Sequence, residues 1–173
     1  MNEKVDWQYL LLDTRARVYL LWAILTAIGF TATHYYQTYL INGFWALLSF
    51  IGLGYMVLVM PLKVRQMQRI FLAWGVTIAA GMAVSAAVFY SSSAAAGNII
   101  AHLGAFWLLV MAVGYAWNGL VDRPATWYWF AAGLNLLFGV LCFTVDAFAA
   151  AQYLIAAIVS AWSMLYLWLF RAS

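Results

Sequence analysis

The sequence predicts an all-α, polytopic membrane protein: a bundle of six transmembrane helices arranged as repeated helical hairpins. Three observations carry that reading. Of 173 residues, 68% are hydrophobic and only 8% charged, against roughly 45–50% and about 25% in an ordinary soluble domain. The apolar residues gather into runs of about 20, the length that crosses a hydrocarbon core ~30 Å thick at ~1.5 Å per residue. All eight Lys and Arg fall on one side of the topology those runs define.

The first 16 residues form a segment of their own. "MNEKVDWQYLLLDTRAR" mixes both signs of charge, and no small-residue cleavage site follows the first apolar run, which argues against a signal peptide. Val5, Trp7, Leu10, Leu11 and Leu12 among polar neighbours predict a short interfacial helix, with Asp13 as cap for the first span. One transmembrane domain, 17–173, then holds spans at about 17–36, 41–60, 70–90, 99–121, 126–145 and 148–170, paired as hairpins 17–60, 70–121 and 126–170. Continuous apolar runs, rather than alternation, exclude a β-barrel, and lipid enforces helix because it cannot partner free backbone groups.

Charge sets the orientation. Lys4, Arg15 and Arg17 precede the first span, Lys63, Arg65 and Arg69 lie between the second and third, Arg123 lies between the fourth and fifth, and Arg171 closes the sixth. The opposite loops, around "HYYQTYLIN", "SSSAAAGN" and "VDAFAA", carry none. By the positive-inside rule both termini are cytoplasmic, and the compact loops suit a prokaryotic inner membrane. The net charge of +3 is therefore a topology signal and does not indicate nucleic-acid binding. Tyr35, Tyr36 and Tyr39 read as the outer aromatic belt, and Trp127, Tyr128 and Trp129 as the inner one.

The chain partly repeats itself. Arg17, Leu20, Trp22, Ala27 and Gly29 recur at an offset of 52 as Arg69, Leu72, Trp74, Ala79 and Gly81. In the following spans Phe44, Trp45, Leu47, Gly52, Leu58 and Val59 recur at an offset of 62 as Phe106, Trp107, Leu109, Gly114, Leu120 and Val121. The ten extra residues fall in the outer loop containing "SSSAAAGN", where insertions are tolerated. The unit is a hairpin crossing twice, so its copies share orientation and are related by an axis near the membrane normal, unlike inverted repeats. The third pair of spans fits in length but not residue by residue.

Trp22, Gly29, Gly43, Gly52, Trp74, Gly81, Gly114, Trp129 and Gly139, set in three arginine-bounded hairpins with short outer loops, resemble the layout of the HdeD-like family of small six-helix bacterial membrane proteins. The resemblance spans most of the chain and implies an inner-membrane protein linked to stress, acid resistance in particular, with no catalytic residues to carry over. The Phe-Trp pairs at 44–45 and 106–107 lie outside that layout.

Chemistry is sparse. No Asp, Glu, Lys or Arg lies near a membrane midplane, which argues against a proton-coupled pump, a voltage sensor or a retinal protein. No zinc-protease motif or nucleophile elbow is present, so enzymatic activity is not expected. Cys142 is the one cysteine and reads as packing. His34, His102 and Asp146 all fall on the outer side; His34 and His102 could hold a haem, or the three a divalent metal. Gly52, Gly81, Asn118 and Asn135 are the candidate packing or cavity residues, with Thr26, Ser49, Thr77 and Gln152 as further buried polar groups.

Three functional readings follow. The first is a non-enzymatic integral membrane protein that acts by packing against itself, lipid or a partner subunit. The second is an outer-side haem- or metal-binding accessory protein of electron transfer. The third is a small facilitative transporter or lipid-binding protein, which requires an internal path or cavity.

Overall fold

The computed structural model describes residues 14–36, 38, 40–122 and 125–171. The expected interfacial helix at 5–12 and its Asp13 cap lie outside these residues. The described residues form eight helices and no strand: α1 (Thr14–Tyr35), α2 (Leu40–Val59), α3 (Arg65–Phe89), α4 (Ala94–Ala101), α5 (Leu103–Val121), α6 (Thr126–Thr144), α7 (Asp146–Ala150) and α8 (Gln152–Arg171). Six of them, α1, α2, α3, α5, α6 and α8, are long and apolar enough to cross a bilayer. This is an all-α, multi-pass membrane protein.

Two spans differ from expectation at one end of the bundle. The stretch read as one span over 99–121 is broken at His102, whose backbone leaves the helix at φ −120°, ψ 34°. Ahead of the break, α4 occupies the connection that follows α3. Ser93 caps it by accepting from the Ala96 amide at 3.2 Å, and three alanines follow, the best helix formers. The span read over 148–170 is likewise preceded by a short helix, α7, and starts at Gln152 after a break at Ala151 (φ −108°, ψ 13°). We call this the far end, and the opposite end, with exposed Arg17, Lys63, Arg65 and Arg69, the basic end.

Neighbouring spans run antiparallel. The most extensive packing joins α1 to α8 and α5 to α6, with α6 also against α8 and α3 against α5. Small residues permit the close approaches, as lipid-embedded helices require. Ala16 and Ala23 on α1, and Ala156, Ala157, Ser160 and Ser163 on α8, are all at most 6% exposed. Between α5 and α6, a methyl at Gly119 would lie 3.3 Å from Tyr128 Cβ, and one at Gly139 would lie 2.7 Å from Leu109 Cδ2.

The first two hairpins are each closed by the same pair of reciprocal contacts. In the first, the Trp22 ring of α1 lies over Gly52 of α2, and the Trp45 ring of α2 lies over Gly29 of α1. In the second, Trp74 of α3 lies over Gly114 of α5, and Trp107 of α5 lies over Gly81 of α3. A methyl group at these glycines would fall 2.7 Å from Trp22 Cε2, 2.9 Å from Trp45 Cζ3, 2.9 Å from Trp74 Cζ3 and 2.8 Å from Trp107 Cη2, inside van der Waals contact. The absence of a side chain is therefore what admits each indole. In the third pair Gly139 faces α5 rather than α8, and Gly133 has nothing within 4 Å of an added Cβ.

Candidate functional site

The four indoles that close the hairpins converge on the bundle axis. Trp22, Trp45, Trp74 and Trp107 line one central void with Phe30, Met111 and Met164. Trp45 and Trp107 stack there, their ring centroids 6.0 Å apart and their planes 9° apart, and Phe30 meets Trp45 edge-on at 4.7 Å. The rings nearly fill the space: the void measures about 20 Å³, room for about one water. A second void of about 20 Å³ lies toward the basic end among Tyr19, Met56, Met60, Met67 and Trp74. The indole edges are anchored by polar contacts: Trp45 Nε1 donates to Thr33 Oγ1 at 2.9 Å, and Trp22 Nε1 donates to Met56 Sδ at 3.3 Å. At the offset of 62, Asn118 stands where Met56 does in the first hairpin.

The basic end carries a polar chain that runs from exposed Gln66 into the buried core. Gln66 Nε2 at the start of α3 donates to Asp122 Oδ1 at 2.6 Å, and the Tyr128 hydroxyl of α6 donates to Asp122 Oδ2 at 2.7 Å. The Tyr128 hydroxyl is also hydrogen-bonded to that of Tyr19 on α1. Asp122 and Tyr128 are both fully buried, so four elements are tied at one point. This corrects the reading of Tyr128 as a belt residue: it faces α1 and α5, while its neighbour Trp129 stays half exposed at 48%. Deeper in, Asn135 Nδ2 of α6 donates to Ser163 Oγ of α8 and to Ala131 O, each at 2.8 Å. Asn118 Nδ2 donates to Gly114 O at 2.8 Å. Neither asparagine lines these cavities; Asn135 ties α6 to α8, Asn118 bonds only back into its own helix, and both amide oxygens are unpartnered.

At the far end Gln152 mends the broken span. Its Oε1 accepts from the amides of Gly104 at 2.9 Å and Ala105 at 3.3 Å, and its Nε2 donates to Ala101 O at 2.7 Å. One side chain from α8 thus satisfies the first free donors of α5 and a last acceptor of α4, groups that cost most when left bare inside a membrane. Gly104 allows the approach, its added Cβ falling 3.0 Å from the Gln152 backbone.

The histidines predicted as ligands sit around this end but do not assemble with Asp146. Among the described residues no group of three His, Cys, Asp or Glu side chains is placed to hold a metal ion. His102 Nδ1 lies 3.0 Å from Asn98 O, and its ring stacks on Phe143 at 5.1 Å. His34 packs edge-on against Tyr35 at 5.0 Å, its Nδ1 buried without a partner. Asp146 is exposed in the first turn of α7. The break at His102 holds that imidazole to its own turn. Of the two glycines singled out from sequence, Gly52 receives Trp22 and Gly81 receives Trp107. Gly81 also borders an apolar, bilayer-facing groove of about 260 Å³ between α3 and α5.

Sequence reasoning missed Asp122, Tyr128 and Gln66 as a unit. Three polar residues at helix ends beside basic loops read as interfacial until the neighbours that cover them are known. No protein-family model, no curated protein and no solved structure matches this chain.

Proposed function

We propose that this protein is a non-enzymatic integral membrane protein of a prokaryotic inner membrane, with both termini cytoplasmic, that works by associating with a second copy of itself through α2. The observation that carries the reading is the state of α2. It is the least covered span, 22% buried over its apolar window against 33–56% for the others. Its outward seam, Gly43, Leu47, Phe50, Gly54 and Leu58, recurs at intervals of three and four residues, and all five are exposed. Added Cβ atoms at Gly43 and Gly54 meet nothing within 4 Å. In lipid, helix association depends on close backbone approach, and glycines on an uncovered face permit it.

The first two hairpins read as copies of one ancestral unit. Supporting this, four tryptophan-glycine contacts pair positions that the offsets of 52 and 62 make equivalent. Six of the nine residues behind the HdeD-like resemblance, Trp22, Gly29, Gly52, Trp74, Gly81 and Gly114, are members of those contacts. The shared layout thus has a packing reason; membership of that family, with its stress-linked role, is proposed on the residue layout alone.

Native mass spectrometry of the full chain released from nanodiscs tests the association. The expected result is a homo-oligomer that Gly54→Leu reduces to a monomer of unchanged helical content, because that position is open within one chain. A wild-type monomer, or an oligomer indifferent to Gly54→Leu, would overturn the reading.

A further inference from the structure

The far end of the axis opens into a third and larger space. A pocket of about 150 Å³ lies there, lined by Thr33 of α1, Thr38 of the following turn, Ile41 of α2, Phe89 of α3, Leu103 of α5 and Tyr153 of α8. Nearly every element of the bundle contributes one wall. We propose that this vestibule is a binding site for a small uncharged aromatic alcohol.

The size of the space selects a single ring. A dry protein cavity of about 150 Å³ accommodates benzene, whereas drug-sized molecules occupy roughly 300–1,000 Å³. The chemistry of the lining selects a neutral molecule with one polar group. Among the described residues no charged side chain lines the pocket, and its walls are aliphatic and aromatic apart from three hydroxyls. That of Thr33 is committed, donating to Gly29 O at 2.7 Å and accepting from Trp45. The Tyr153 hydroxyl makes no hydrogen bond to a described residue, so it is available to a ligand.

The pocket is also held in shape. Its floor rests on Thr33, which is bonded to Trp45, and Trp45 is packed between Phe30 and Trp107. One wall comes from the ten residues by which the second hairpin exceeds the first: α4 contributes Ile100, and Leu103 follows the break. Gln152, next to Tyr153, clamps both sides of that break. The inserted helix, the break and the clamp thus act on one place, which gives the insertion a purpose beyond loop length. Such prepaid order lowers what a small ligand must spend on binding. An aromatic alcohol partitions to the membrane interface, which is where a pocket at the ends of the spans meets it.

The test is equilibrium dialysis of radiolabelled phenol against the full chain in nanodiscs, with protein-free nanodiscs measuring linear partition into lipid. The proposal expects a saturable component of one phenol per chain above that line. Ile100→Trp, at a half-buried wall position, should abolish it by filling the space. Tyr153→Phe should weaken it about three- to tenfold, the loss of one hydrogen bond, while leaving benzene binding unchanged. Uptake identical to protein-free nanodiscs would overturn the proposal. So would a saturable component that both Ile100→Trp and Tyr153→Phe leave intact. The vestibule takes the buried Ile41 from α2, whereas Gly54 lies toward the other end of that helix, so the Gly54→Leu result and the phenol result are read separately.

Discussion

The ring of Trp22 occupies the place a side chain at position 52 would need: a methyl on Gly52 would sit 2.7 Å from Trp22 Cε2. The glycine and the indole are thus two halves of one contact. Gly52→Ala should destabilise the bundle by about 1–3 kcal/mol, the usual cost of overpacking a fitted core, and Gly114→Ala should do the same against Trp74. Gly133→Ala, where nothing lies within 4 Å, serves as the control and should leave stability unchanged or slightly raised. Combining Gly52→Ala with Trp22→Phe should cost less than the sum of the two, because the smaller ring makes room for the methyl. Reversible unfolding in mixed micelles, run as a double-mutant cycle, reads that coupling. Strict additivity would mean that the two residues do not share the contact.

Gln152 offers a different kind of test, because its side chain replaces backbone partners that the break at His102 removed. Gln152→Leu keeps the volume and deletes both the acceptor for Gly104 and Ala105 and the donor to Ala101 O. Leaving a buried polar group bare costs about 1–3 kcal/mol. The expected outcome is local: faster hydrogen-deuterium exchange at Gly104 and Ala105, with the α1–α8 packing at the other end of the axis still protected. Uniform acceleration along α5 would instead show that the clamp holds the whole span.

Much of the bundle is legible in the sequence. The six spans follow from hydropathy and helix period, which are local signals. What could not be read is which residues meet. Trp22 and Gly52 are 30 positions apart and on different helices; their contact depends on how two helices cross. Sequence alone places Tyr128 at the interface with Trp127 and Trp129 because all three are aromatic and adjacent. Successive helical residues point about 100° apart, so one of three adjacent aromatics facing inward is unremarkable, but choosing which requires the neighbouring helices. The same limit applies to His34, His102 and Asp146: sequence put them on one side of the membrane, and being on one side does not make a ligand set.

Orientation can be settled with the chain's own chemistry. Cys142 is the only cysteine and is fully buried in α6, so the wild-type protein should resist a membrane-impermeant maleimide and give a low background. Ser92 is exposed at the far end between α3 and α4, and Lys63 is exposed at the basic end between α2 and α3. If the basic end faces the cytoplasm, as retention of Lys and Arg on that side demands, Ser92→Cys will be labelled from outside intact cells. Lys63→Cys will then react only after the membrane is permeabilised. The reverse pattern would invert the topology and put the vestibule between Thr33 and Tyr153 on the cytoplasmic face, where its ligand would have to come from the cell interior rather than from outside.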